Sequence, residues 1–317
     1  MQMSYHSRKA KRAVWRACKN LIYTNPIGHR LIQSREALAE SFGPDDAEYS
    51  WRLFERHSIR LQQVGFDKRA SRILEVGPGR NIGSALLWWA ACGGGDVSVT
   101  LWDTFPNTTV DFSQLRTSAE ALLERGASRG ADTEEIDIGL RSIVAGEVSP
   151  RIEYVVCDHA TFAARGEAPY DLILSHSCFE HIWSPEPTLA MLADHTAKEG
   201  WHSVQIDLAD HGSRDTNFLE MLEWSDLGYW LTMRFAPGAV NRWRAQQFID
   251  CYEELGLMIV AADRRTQDVL PTERKRLARR FRNLDEQELL TTELHLITQG
   301  RRSAPQVAGQ KAPVSTA

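Results

Sequence analysis

The 317-residue chain contains no run of about 18 apolar residues, so no membrane-spanning helix is expected. Its basic N-terminal stretch is not followed by an apolar segment, which argues against a secretory signal. No C-x-x-C pair occurs. The five cysteines, Cys18, Cys92, Cys157, Cys178 and Cys251, are odd in number and scattered. That excludes a disulfide framework and a cysteine-built zinc site, and it fits reduced thiols in a cytoplasmic protein. No strong charge excess exists either: the net charge is −5, which excludes a polyanion-binding protein as a whole and leaves room for local basic patches. No internal repeat is found.

Acids are missing from the first 35 positions. There Arg8, Lys9, Lys11, Arg12, Arg16 and Lys19 meet Ala10, Val14, Cys18 and Leu21 at helical spacing, which predicts a basic amphipathic helix. It either docks on the main domain or makes peripheral contact with an anionic membrane surface. Pro26 and Gly28 end it. The tail, 301–317, is small and polar and is expected not to order.

What the chain does have is 43% hydrophobic residues, enough for a sizeable core. A helix is predicted from about Asp46 to Val64, with Trp51, Phe54 and Leu61 on its apolar side. Then strands and helices alternate. Strands are predicted at Arg72–Val76, Val97–Trp102, Arg151–Val156, Asp171–Ser175 and His202–Leu208, with helices at Ile82–Ala91 and Thr188–Ala197. Later come a helix at Ala245–Leu255 and closing strands at Leu257–Ala262 and Glu293–Thr298. Such alternation implies a mostly parallel sheet with helices on both faces. The stretch between Asp103 and Asp158 exceeds the needs of one crossover. It predicts extra helices at Phe112–Arg125 and Thr133–Ala145, an insertion able to act as a substrate lid. The expected divisions are an N-terminal helical extension (1–65), a main domain (66–300, with 104–150 the helical insertion or lid) and a disordered tail (301–317).

Ligands of an open α/β sheet bind beyond the carboxyl ends of its strands. The first end offers Glu75, Gly77, Pro78 and Gly79, where glycines let backbone approach a ligand and the next helix offers free N–H groups. The second offers Asp103 and Thr104, a carboxylate able to grip a ribose diol. The third offers Asp158 and His159, suited to an exocyclic amine of adenine. The fourth offers Ser175 and His176, then Phe179-Glu180-His181. Three strand ends thus carry groups fit for one adenosine-containing ligand, and NAD sites share several of these features.

The segment ILEVGPG (73–79) resembles motif I of class I S-adenosylmethionine-dependent methyltransferases, with Glu75 in the acidic position. Asp103 matches the ribose-binding acid, and Asp158 with His159 and Ala160 the adenine-edge position. The stretch 170–201 resembles the family's fourth-strand region, and 241–260 looks like the C-terminal part of methyltransferases found with glycan and natural-product pathways. The resemblance covers about residues 70–210. It implies a Rossmann-like seven-stranded sheet and S-adenosylmethionine as cofactor. Asn81 departs from it, standing where many members have a small residue.

A sulfonium donor is already activated. The chain must therefore align the acceptor and, for a hydroxyl, remove a proton, with no metal required in principle. His211 with Asp207, or His181, are the candidate catalytic groups, since histidine titrates near neutral pH. Asp207, Asp210 and His211 could instead ligate magnesium, or form a plain capped turn. The acceptor pocket is expected around Trp224–Trp230 and Arg242–Arg244, with a small-molecule or saccharide hydroxyl favoured. The basic run Arg274–Arg282 reads as a solvated helix face rather than a nucleic-acid site. Alternatives are a nicotinamide dehydrogenase, weakened by the lack of a Tyr-x-x-x-Lys outside Tyr5–Lys9, and a non-catalytic cofactor-binding regulator.

Overall fold

The computed structural model describes residues 44–79, 82–104, 114–127, 129, 133–233 and 239–300, with single positions Val14 and Cys18. The basic arm, Asn81 and the tail lie outside the described residues. Among these residues, no helix is long and apolar enough to cross a membrane.

Seven strands form one sheet: β1 (Arg72–Val76), β2 (Ser98–Asp103), β3 (Arg151–Val156), β4 (Tyr170–His176), β5 (Thr196–Asp207), β6 (Met258–Thr266) and β7 (Thr291–Gln299). Their order is β3-β2-β1-β4-β5-β7-β6. Strands β1 to β5 pair in parallel, and β7 runs antiparallel to both β5 and β6. The order reverses between β1 and β4, which fixes the ligand crevice there. The fold is the Rossmann-like one expected. Strand β5 begins earlier than its apolar pattern indicated, because Tyr170 pairs with Thr196 ahead of a register shift.

Strand alternation divides the core. On one face Ile73, Val99, Leu101, Leu172 and Leu174 meet α1 (Pro44–Gln63), α2 (Gly83–Ala91), α3 (Leu115–Gly126) and α4 (Glu134–Ala145). On the other, Leu74, Val76, Ile173, Val204 and Ile206 meet α5 (His159–Ala163), α6 (Glu186–Asp194) and α9 (Ala245–Glu254). Between β5 and α9 lie α7 (Arg214–Asn217) and α8 (Asp226–Met233), and α10 (Glu286–Leu290) precedes β7. Helix α1 is built into the first core, where Trp51 is 1% exposed and donates through Nε1 to the Leu122 carbonyl at 2.9 Å. Truncating such a tryptophan costs about 3–5 kcal/mol. The two inserted helices form where expected and pack against α1 and α2 as part of this layer. Gly139 of α4 sits so close that an added Cβ would meet that of Ala90 at 2.8 Å.

The basic run 274–282 is not a helix. It forms two short 3₁₀ turns, Arg274–Arg276 and Arg279–Phe281, because Leu277 and Phe281 are drawn into a third apolar cluster with Leu219, Leu222 and Tyr229. Its charges stay outside.

A polar seam joins α1 to the sheet. Val204 and Ile206 face the second core, so Ser203 faces α1. Its hydroxyl lies 2.8 Å from His57 Nδ1 and 2.9 Å from His295 Nε2, donating to one ring and accepting from the other. The His57 ring is 5.7 Å from that of His176. Burial lowers His57 well below its usual range and takes His295 to about 3 and His176 to about 4. His202, buried beneath Tyr252 on the opposite face, falls to about 3.

These four imidazoles are neutral in the fold, whereas the unfolded chain protonates them below about pH 6.5, so stability drops as pH falls through that window. Two buried carboxyls act oppositely: Glu75, raised to about 7, and Glu180, raised to about 8, hold protons that the unfolded chain releases above about pH 4.5. These six groups alone leave about two more protons on the unfolded chain, worth roughly 2–3 kcal/mol per pH unit between about pH 6 and pH 5, and His181 and His211, also lowered, act in the same direction. Denaturant midpoints across that range should fall with acidification; a flat or rising profile would contradict neutral burial of the histidines.

Candidate functional site

The turn after β1 and the turn after β4 touch. Gly77 and Gly79 have φ of +69° and +64°. A Cβ at 77 would lie 2.4 Å from Cys178 Sγ, whereas one at 79 meets nothing within 4 Å. Gly77 is therefore required by its neighbour in the protein, and Gly79 is the position that leaves backbone open to a ligand. The Gly77 N–H donates to the Trp102 carbonyl at 2.9 Å, tying the turn to β2.

Glu75 points toward α1 from the buried end of β1 and is 7% exposed. Burial raises it to about 7 despite the Ser84 hydroxyl, and its Oε2 has no hydrogen-bond partner. Desolvating an unpaired carboxyl is costly, so this position suits a ligand bringing N–H donors or positive charge. Asp103 closes β2, half-buried; burial raises the nearby Tyr154 phenol, and the charge of Asp103 adds to that shift. Thr104 next to it is exposed. Asp158 is exposed and N-caps α5, accepting from Thr161 N at 2.7 Å, which lowers its carboxyl; His159 opens that helix. Ser175 is turned inward, donating to the Val76 carbonyl at 3.1 Å, and so pins β4 to β1. His176 joins the histidine seam. Both were read from sequence as ligand contacts, and both carry internal contacts.

After β4 the chain bends at Ser177, a non-glycine at φ +47°. Residues in this region cost of order 1–3 kcal/mol. The bend is held by β5, with Ser177 N donating to the Gln205 carbonyl at 2.9 Å and its hydroxyl to Gln205 Oε1 at 2.8 Å. Beyond it Phe179–His181 forms a 3₁₀ turn, clamped by the Asn241 amide on the Phe179 and Ile182 carbonyls at 2.7 and 2.8 Å. Glu180 is thereby 1% exposed with neither carboxylate oxygen partnered, and burial raises it to about 8 against its own amide and Arg214.

The three predicted catalytic groups come together. His181 Nδ1 is 3.0 Å from the Ala239 carbonyl, so it donates and leaves Nε2 free. The His181 and His211 rings are 5.0 Å apart. His211 Nε2 is 3.3 Å from Asp207 Oδ2, an oxygen also paired with Arg214. Partial desolvation lowers both histidines, which keeps them neutral near pH 7. Asp210, whose charge opposes the downward shift of His211, accepts from Gly212 N through Oδ1 at 2.8 Å. Among the described residues, Glu180, His181 and His211 present ligand-capable atoms within 4.8 Å of one another.

A cavity of about 400 Å³ adjoins this cluster through Arg214, lined also by Thr216, Arg265, Gln267, Thr292 and Glu293. The expected acceptor region is otherwise. Arg242 lies over Tyr229 at 4.4 Å and donates to the Trp224 carbonyl at 2.8 Å. Arg244, 1% exposed, binds the carbonyls of Leu208 and Glu288 at 2.6 and 2.8 Å. Both arginines are fold-holding, because buried guanidinium needs those acceptors. Tyr49 was not foreseen. On α1, its phenol is raised by desolvation, with Glu75 and Glu180 adding to the shift and Arg52 and Arg56 opposing it. No local pattern marks it.

A family model described as a methyltransferase domain matches residues 52–262. No curated protein matches the chain significantly. Among solved structures, a putative methyltransferase from Bacillus halodurans C-125 is similar at 11% identity and TM-score 0.41, over 77% of this chain and 98% of that one. A putative sarcosine dimethylglycine methyltransferase from Galdieria sulphuraria shares 12% identity at TM-score 0.41, over 79% and 86%. Haemonchus contortus phosphoethanolamine N-methyltransferase 2, solved with S-adenosyl-L-methionine, shares 14% at TM-score 0.42, over 80% of this chain and 53% of that one.

Gly77→Ala should disable ligand binding at this edge, since both its φ and the Cys178 contact oppose a Cβ. Pairing it with Cys178→Gly, which removes both the Sγ at 2.4 Å and the Cβ at 2.7 Å, should relieve the contact and recover part of the lost thermal stability, with the φ cost of about 1 kcal/mol remaining. A double variant no more stable than Gly77→Ala would show that the two turns do not constrain each other.

Proposed function

This chain belongs to the methyltransferase domain family, and from that premise we propose that it carries a methyl group from S-adenosylmethionine to a hydroxyl of a small-molecule or saccharide acceptor. When bound, the cofactor supplies a methyl already activated on a sulfonium cation. The residues at the carboxyl edge fit it. The orphaned Glu75 oxygen and the open Gly79 backbone form one side, with Pro78 between the glycines. Asp103, with Thr104 beside it, suits the ribose diol. Asp158 caps α5 through one oxygen and, being exposed, can accept an adenine amine through the other, beside His159. Ser175 and His176 act from behind, holding β4 and its turn in place.

The observation that carries the acceptor side is the pairing of His211 with Asp207 beside His181, one turn from the glycines and next to the 400 Å³ cavity. His211 is neutral and can take a hydroxyl proton at Nδ1, while Asp207 steadies the imidazolium through Nε2. His181, fixed by the Ala239 carbonyl, shapes the wall. The polar lining around Arg214, Thr216 and Gln267 suits a hydroxyl-rich acceptor. Location in the cytoplasm and contact of the basic arm with acidic membranes belong to the same proposal, and salt-reversible flotation with acidic liposomes tests the latter.

Calorimetry with S-adenosylmethionine and with NAD, followed by detection of S-adenosylhomocysteine over a panel of sugars, lipid-linked glycans and phenols, tests the reading as a whole. Asp103→Ala should weaken cofactor binding by about 2 kcal/mol, the scale of a lost charge-assisted pair. His211→Ala should lower turnover about 10²-fold with cofactor affinity nearly unchanged. Unchanged affinity in the first variant, or full turnover in the second, would remove the corresponding role.

A further inference from the structure

We propose that Glu180, His181 and His211 form a binding site for one divalent transition-metal ion, with Asp207 orienting His211 from behind. The donors come from the two loops that meet at the sheet edge, the 3₁₀ turn after β4 and the loop after β5. Their ligand-capable atoms already lie within 4.8 Å of one another. Metal–ligand bonds of roughly 2.1 Å put neighbouring donors about 3 to 3.5 Å apart, so the cluster needs only a modest closure of side chains.

Three independent features favour an ion here over a chance grouping. Glu180 is 1% exposed, and both of its oxygens lack a hydrogen-bond partner. Natural folds rarely bury a carboxyl without satisfying it, and a cation would do so. The histidines are arranged as ligands usually are. His181 is fixed by donating Nδ1–H to the Ala239 carbonyl, which leaves Nε2 as the donor atom. His211 directs Nε2 at Asp207, 3.3 Å away, which leaves Nδ1. A carbonyl or carboxylate on the far nitrogen of each imidazole is the common support of metal-bound histidine. Finally, the turn carrying two of the donors is itself over-determined, by Gln205 behind Ser177 and by the Asn241 amide.

The donor chemistry selects the ion. Two imidazoles and one carboxylate suit zinc, cobalt, iron or manganese, and magnesium or calcium prefers oxygen donors throughout. Three protein donors leave positions for an acceptor oxygen, and a cation there would favour loss of that oxygen's proton to water. That consequence rests on the methyl-transfer reading, while binding of the ion does not. With an ion in place His211 acts as a ligand instead of taking the proton itself, so His211→Ala loses turnover either way and turnover alone cannot decide.

The deciding experiment is a titration of the full chain, stripped with chelator, with Co²⁺, read by its visible ligand-field absorption, and with Zn²⁺ in competition. One Co²⁺ per chain is expected, displaced by Zn²⁺ and not by equimolar Mg²⁺. Glu180→Gln, His181→Ala and His211→Ala should each weaken binding more than about 100-fold, and Asp207→Asn about 10- to 100-fold. Asp96→Ala, at an exposed acid before β2 on the opposite, amino edge of the sheet, should leave it unchanged. Circular dichroism checks the fold; should Glu180→Gln unfold, the two variants at the solvent-facing histidines carry the test. Absence of saturable binding, or binding that survives the histidine variants, overturns the proposal. Calorimetry with S-adenosylmethionine on the same metal-free protein separates the two ideas. Cofactor binding and turnover without metal binding would sink the ion alone, and metal binding without cofactor binding would sink methyl transfer alone.

Discussion

The contact between Gly77 and Cys178 governs this molecule's working edge. Strands β1 and β4 are neighbours at the point where sheet order reverses, and their turns are pressed together there. A side chain at 77 would push them apart. The touching turns carry two carboxyls from distant parts of the chain, Glu75 and Glu180, and the charges of both raise the Tyr49 phenol. Both are buried, both carry unpartnered oxygens, and both are raised by desolvation. That is a costly arrangement for a protein without ligands, and costly polar burial clusters at sites of function.

The edge is held from behind by polar contacts that do no chemistry. Ser175 ties β4 to β1, Gln205 fixes the strained Ser177, and Asn241 clamps the turn bearing Glu180 and His181. On the other side of the sheet edge, Arg244 gathers the carbonyls of Leu208 and Glu288 and so fixes the loop that delivers His211. The seam of His57, Ser203 and His295 seats α1 on the sheet in one register, where a purely apolar contact would tolerate sliding.

Much of the fold was legible because its signals are local. The runs at 72–76 and 151–156 became β1 and β3 with the same bounds, β1 as a buried parallel strand of mostly apolar sequence and β3 as the more exposed edge strand. Failures came where distant packing overrode local pattern. The basic run at 274–282 reads as a helix face, but Leu277 and Phe281 are claimed by the third cluster and break it into turns. The arginines at 242 and 244 read as pocket residues, but unpaired carbonyls nearby captured them. Ser175 and His176 stand at a strand end, as ligand groups do, and alternation sends them to opposite faces, Ser175 onto the Val76 carbonyl and His176 toward His57.

Sequence alone determined the order of elements along the chain and which polar residues stand at the carboxyl ends of strands, because periodicity and strand ends are properties of a few consecutive residues. It also carried the family resemblance, through ILEVGPG and the acids at 103 and 158. Only the tertiary structure decided which of those polar residues face one another. Asp207 could be set beside His211 from spacing, but the meeting of both with His181 and Glu180 depends on a left-handed bend at Ser177 and on a side chain 60 positions further on at Asn241. Such meetings are fixed by close packing between loops, and packing between distant loops leaves no periodic trace along the chain.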